Sequence, residues 1–94
     1  MSSTPTILIF IPAKNEAGAV GEVIRDARVA VAGELAITPE VLLISDGSTD
    51  ETAETARAAG AAVIEHKASR GLGTIFQEAV EYAIRARVDY LVTI

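Results

Sequence analysis

The 94-residue sequence predicts a three-layer α/β domain with a parallel sheet, in the order βαβαβαβ. Three observations carry that expectation. Short runs of β-branched and aromatic residues recur along the chain; segments with apolar residues at helical spacing lie between them; and glycine, proline or Ser-Asp-Gly punctuation separates each pair. Uninterrupted apolar runs mark strands buried on both faces, and strand–helix alternation implies parallel pairing through right-handed crossovers.

Ile7-Leu8-Ile9-Phe10-Ile11 is the first strand, stopped by Pro12. Val20, Val23, Ile24, Ala27 and Val31 then recur at helical spacing, so a helix is expected from about Ala17 to Gly33. Thr38-Pro39 breaks the chain before a second buried strand, Val41-Leu42-Leu43-Ile44, and Ser45-Asp46-Gly47 turns it. Ser48 and Glu51 fit a capping box ahead of a second helix through Ala53, Ala56 and Ala59, closed by Gly60. Ala61-Ala62-Val63-Ile64 is a short third strand and Arg70-Gly71-Leu72-Gly73 a loop. Ile75, Phe76, Ala79, Val80, Ala83 and Ile84 form a third helical face, with Arg85 and Arg87 in a last turn where positive charge suits the helix dipole. Tyr90 to Ile94 is the fourth strand.

Eight basic against thirteen acidic residues give a formal net charge of −5, which argues against a nucleic-acid partner. The absence of cysteine excludes disulfides and thiolate chemistry and suits a reducing, cytoplasmic setting. The longest apolar run, Ile7 to Ile11, is far short of the roughly 20 residues a membrane span needs, and no signal peptide is visible. No linker divides residues 1–94, so one domain is expected. Four strands and three helices cannot cover both faces and both edges of a parallel sheet, so a homo-oligomer is expected.

In such sheets ligands bind beyond the carboxyl ends of the strands. Three segments sit there. Pro12-Ala13-Lys14-Asn15-Glu16 follows the first strand: Lys14 can neutralise a phosphate and Glu16 can accept hydrogen bonds from a base or sugar, while an ordinary turn with Asn15 as N-cap is the plainer reading. Ser45-Asp46-Gly47-Ser48-Thr49-Asp50 follows the second: Asp46 can accept from a nucleobase N–H or a ribose hydroxyl, Gly47 permits a tight turn, and Ser48 or Asp50 caps the helix. His66-Lys67-Ala68-Ser69-Arg70-Gly71-Leu72-Gly73 follows the third and gathers cationic groups suited to a diphosphate. Its glycines fail the dinucleotide pattern G-x-G-x-x-G, because Phe76 holds the last position. One histidine and no cysteine leave no metal pair, and there is no G-x-S-x-G.

Taken together, Ile-Pro-Ala-Lys-Asn-Glu at 11–16, Ser-Asp-Gly-Ser-Thr-Asp at 45–50 and Arg-Gly-Leu-Gly-Thr at 70–74 resemble the amino-terminal half of family 2 glycosyltransferases with the Rossmann-like GT-A fold. The likeness is to the dolichyl- or polyprenyl-phosphate mannosyltransferase and glucosyltransferase branch, over about Thr6 to Ile94. Lys14 stands where that family commonly has an aromatic residue, and Ser45 replaces the first acid of its D-D-G-S. The resemblance implies transfer of a sugar from a UDP- or GDP-sugar, with polyprenyl phosphate as acceptor at a membrane surface. Pro12, Ala13, Lys14, Glu16, Asp46 and Gly47 would line the nucleotide pocket, and Arg70, Gly71, Leu72 and Gly73 would close beside ribose and diphosphate. Mg²⁺ or Mn²⁺ is expected in the complete enzyme through a D-x-D after the fourth strand. These 94 residues, read as the nucleotide-sugar-binding half, are expected to bind nucleotide, to hold no metal and to transfer no sugar. A non-catalytic nucleotide- or protein-binding module is the alternative. A receiver-like domain would need an aspartate after the third strand, where Ile64-Glu65-His66 stands.

Overall fold

The computed structural model describes residues 5–94, the side chains of residues 34 and 35 excepted. Its elements are β1 (Ile7–Ala13), α1 (Val20–Leu35), β2 (Glu40–Asp46), α2 (Thr52–Ala58), β3 (Ala62–His66), α3 (Leu72–Arg85) and β4 (Tyr90–Thr93). All strands are parallel, in the order β3-β2-β1-β4. The expected three-layer α/β fold is therefore present. The two continuous apolar runs became the two central strands, and successive side chains alternate between two cores. Ile9, Ile11, Ala13, Val41 and Leu43 pack against Val20, Ile24 and Ala27 of α1 and Ala56 of α2. Leu8, Phe10, Leu42 and Ile44 pack on the other face against Ile75, Ala79 and Ala83 of α3. The strand order reverses between β1 and β4, which places the crevice expected for a ligand at their carboxyl ends.

Several local expectations are corrected. Pro12 does not stop β1; it stays in register with Ile44 of β2. Its missing N–H faces the β4 side, where β1 pairing ends at Phe10, so no ladder bond is lost. The first helix begins at Val20, and the N–H groups of Ala19 and Val20 both donate to the Glu16 carbonyl. It continues past Gly33 to Leu35 and stops at Ala36, which takes the left-handed conformation at φ 54°. An exposed glycine costs a helix only about 1 kcal/mol, too little to end it. β2 includes Ser45 and Asp46, and β3 extends to His66. The capping box is not formed: α2 starts at Thr52 without a cap from Ser48, and Asp50 Oδ1 accepts the Thr52 N–H at 3.0 Å. Leu72 and Gly73 open α3 rather than lying in a loop, Phe76 and Ile84 are exposed, and Arg87 lies past the helix end.

Gly60 does close α2 as expected. At φ 89° it donates to Arg57, while Ala61 donates to Ala56, the paired bonds of a Schellman motif. Arg28 of α1 adds a second closure that no motif announced: its guanidinium donates to the carbonyls of Ala59 at 2.6 Å and Gly60 at 2.7 Å. Cationic donors at a helix carboxyl end stabilise its dipole.

These two glycines give opposite expectations. Gly33→Ala meets no atom within 4 Å inside a helix and should raise stability by about 0.5–1 kcal/mol. Gly60→Ala is strained by its positive φ and puts a Cβ 3.2 Å from Arg28, so it should lower stability by about 1–2 kcal/mol. Urea unfolding of both variants checks the pair; equal signs would contradict the helix ends described.

Candidate functional site

Three loops meet beyond the carboxyl ends of β1, β2 and β3, and the middle one organises the others. On the β1 side, Ser48 Oγ accepts the Asn15 N–H at 3.0 Å, Thr52 Oγ1 the Glu16 N–H at 2.9 Å and Asp50 Oδ2 the Ala17 N–H at 3.2 Å. Asn15 returns the contact, its Oδ1 accepting the Thr49 N–H at 2.7 Å. Asn15 sits at φ 53°, a conformation that asparagine tolerates better than most residues. The expected N-cap role of Asn15 is thus replaced by a bond across loops. Buried Ser45 donates to Ser48 at 2.7 Å, orienting that hydroxyl from below.

On the β3 side, the Asp46 carboxylate accepts from Ser69 Oγ at 2.9 Å, the Arg70 N–H at 2.7 Å and the Gly71 N–H at 3.0 Å. The Gly47 N–H donates to the His66 carbonyl at 2.9 Å. Gly47 has φ 83°, and a Cβ there would lie 2.8 Å from the Ser69 nitrogen, so glycine is required on two counts. The Arg70 N–H holds the Asp46 carboxyl below the usual carboxylate range; burial opposes this, and Ser69, Gly71 and nearby His66 reinforce it. The Asp50 carboxyl is likewise lowered, chiefly by the Thr52 hydroxyl.

Pro12, Ala13, Lys14 and Asp46 converge with Leu72 and Ile75 of α3 on a pocket of about 200 Å³. It meets a more apolar groove of about 400 Å³ along Phe10, Phe76, Thr93 and Ile94, the two sharing Pro12 and Leu72. Of the ten residues expected at a nucleotide site, five therefore line this pocket. Glu16 and Gly47 do not, and the N–H groups of Asn15, Glu16 and Ala17 are already engaged rather than offered to a ligand. Gly71 is the N-cap position of α3, and its N–H goes to Asp46. Arg70 lines a separate pocket of about 420 Å³ with Glu65, His66, Lys67, Ala68 and Ser69. There His66 Nε2 lies 2.7 Å from Glu78 Oε1 of α3. Ser69 and Leu72 fall inside the third candidate segment, whereas Ile75 was missed because in the sequence it reads only as part of a helical core face.

The described residues assemble no ligand set for a divalent cation. Among the described residues no three His, Asp or Glu side chains gather as a ligand set. The best-placed carboxylate, Asp46, is committed to three N–H and O–H donors.

A doubly wound strand order, helices on both faces and a crevice at the strand reversal define a Rossmann-like α/β domain. Residues 8–94 match the model of glycosyl transferase family 2, and the chain belongs to that family. Among solved structures it is similar to mannosyl-3-phosphoglycerate synthase from Rubrobacter xylanophilus, at 30% identity and TM-score 0.54, over 65% of this chain and 19% of that one. It is also similar to glucosyl-3-phosphoglycerate synthase from Mycobacterium tuberculosis in complex with Mn²⁺, UDP-Glc and phosphoglyceric acid, at 30% identity and TM-score 0.50, over 65% of this chain and 21% of that one. The Pyrobaculum calidifontis mannosyltransferase PcManGT, in complex with GDP-Man and Mn²⁺, shares the fold at 20% identity and TM-score 0.69, over 87% of this chain and 25% of that one. The chain thus spans about a fifth to a quarter of the length of these structures. No match is found among curated proteins. The polyprenyl-phosphate branch is not singled out, since the two more identical structures are phosphoglycerate synthases.

The Asp46 bonds give a pH dependence of definite sign. A carboxylate held below its unfolded value, about 3.9, stabilises the fold fully above that pH and loses the contribution as pH falls through the folded value. The stability gap between the wild type and Asp46→Asn should therefore be largest near pH 7 and shrink below about pH 4. Urea titrations at the two pH values measure it, and a gap unchanged down to pH 2 would contradict the bonding described.

Proposed function

We propose that this chain binds the nucleoside diphosphate of a UDP- or GDP-sugar in the crevice between β1, β2 and α3, as the donor half of a glycosyltransferase. The observation that carries the reading is the convergence of Pro12, Ala13, Lys14 and Asp46 beyond the carboxyl ends of β1 and β2 in a family 2 domain. Pro12, Leu72 and Ile75 offer apolar walls for a base, Asp46 a carboxylate edge, and exposed Lys14 a charge for phosphate. Glu16 and Arg70 stand outside that pocket and would approach the sugar and diphosphate from its rim.

In the transfer itself an acceptor oxygen forms a bond to the anomeric carbon as the bond to the nucleoside diphosphate breaks, the electron pair leaving with the diphosphate. The acceptor class we favour carries a phosphate. Polyprenyl phosphate and the phosphoglyceric acid held by the mycobacterial structure share that group. The domain would act in the cytoplasm, beside the membrane when the acceptor is a lipid. These 94 residues are expected to bind nucleotide without transferring sugar. A divalent cation would belong with residues that this chain does not bring together. Exposed Tyr90, Val92 and Ile94 at the edge strand, with Leu72 and Phe76 beside them, support association of copies, which light scattering would register.

Calorimetric titration with UDP, GDP, ADP and CDP tests the reading. At least one should bind weakly, more weakly as salt rises, and almost independently of Mg²⁺ or Mn²⁺. Lys14→Glu should weaken that binding about three- to tenfold without changing the circular dichroism. No heat with any of the four nucleotides would overturn the assignment.

A further inference from the structure

The carboxylate that lines the pocket is already heavily engaged elsewhere. Asp46 is only 6% exposed. An ionised carboxylate offers about four acceptor positions, and three donors at 2.7–3.0 Å already occupy this one. All three come from the segment between β3 and α3. Gly47 seats the same segment by shape, its Cα facing the Ser69 backbone so closely that a methyl group would not fit. Leu72, directly after the latched Gly71, is a wall of the pocket, and Arg70 lies within the latched stretch.

Resting on the nucleotide-binding reading, we propose that Asp46 is a positioning residue, whose carboxylate latches Ser69, Arg70 and Gly71 so that Leu72 is held as the pocket wall. A base N–H that reaches Asp46 would take the remaining lone-pair position, on a carboxylate already fixed by the loop. The latch joins two turns 23–25 residues apart, so loop position and ligand affinity rise and fall together. That the Asp46 carboxyl is held below the usual carboxylate range agrees with its engagement by several donors.

The test separates latch from contact by using variants that leave Asp46 untouched. Ser69→Ala removes one donor from an exposed position, Ser69→Thr restores it, and Gly47→Ala drives a Cβ against the loop. Two quantities are read: affinity for UDP or GDP by calorimetry, and the rate of tryptic cleavage after Lys67 and Arg70, located by mass spectrometry. Ser69→Ala should speed cleavage and weaken affinity about threefold, and Gly47→Ala should do both by about tenfold. Ser69→Thr should behave as wild type in both. Circular dichroism confirms that each variant is folded; should Gly47→Ala not fold, the Ser69 pair decides. Faster cleavage with unchanged affinity in Ser69→Ala and Gly47→Ala, beside lost affinity in Asp46→Asn, would overturn the proposal in favour of direct contact. Unchanged cleavage in every variant, Asp46→Asn included, would overturn the latch itself. A wild type that binds neither nucleotide defeats the functional reading alone, and cleavage then decides the latch.

Discussion

Backbone N–H groups that run past the end of a parallel sheet lose their ladder partners, and the rest of this structure depends on how they are satisfied. One segment, Ser45 to Thr52, does most of that work. Ser48, Asp50 and Thr52 take the N–H groups of Asn15, Glu16 and Ala17. Asp46 takes those of Arg70 and Gly71. The segment can serve both neighbours because β2 lies between β1 and β3 in the sheet. Topology thus puts a polar, hydroxyl-rich turn where two flanking loops need acceptors, and no buried side-chain polar atom among the described residues lacks a partner.

That arrangement also decides what a ligand can meet. The amides of the β1 loop and the first amides before α3 are spent internally, so recognition falls to side chains and apolar walls. Lys14 is exposed and lines the pocket, whereas Lys67 lies in the separate pocket beside Arg70. The cationic groups that form one cluster in the sequence, His66, Lys67 and Arg70, stay together around that second pocket, apart from Lys14 of the β1 loop. On the proposed reading, a diphosphate in the crevice would meet Lys14 first.

The central strands were legible because residues buried on both faces leave continuous apolar runs, as in Ile7–Ile11 and Val41–Ile44. β3 was read short because an edge strand buries less, and Glu65 and His66 carry no apolar signal. The family-level likeness was legible from three loop motifs in order, because those turns impose local residue choices. The partners of those motifs were not. Ser48 has the spacing of a cap to Glu51, yet its hydroxyl is recruited by Asn15, 33 residues away. Asp46 stood out as a strand-end carboxylate, but nothing local reveals donors 23–25 residues ahead. Ile75 was missed as a wall because an apolar residue in a helix reads only as core. Gly33 misled for the converse reason, since a helix can absorb one exposed glycine when Ala36 supplies its left-handed end.

The bracket formed by Ser45 to Thr52 is tested most directly by amide hydrogen exchange of the unliganded chain, followed by NMR. The account predicts that the N–H groups of Asn15, Glu16, Ala17, Arg70 and Gly71 exchange at least about tenfold more slowly than those of exposed Lys67 and Ala68, although all lie outside helix and strand. Exchange of those five amides at the rate of Lys67 and Ala68 would show that the middle turn does not hold its neighbours, and would contradict the account.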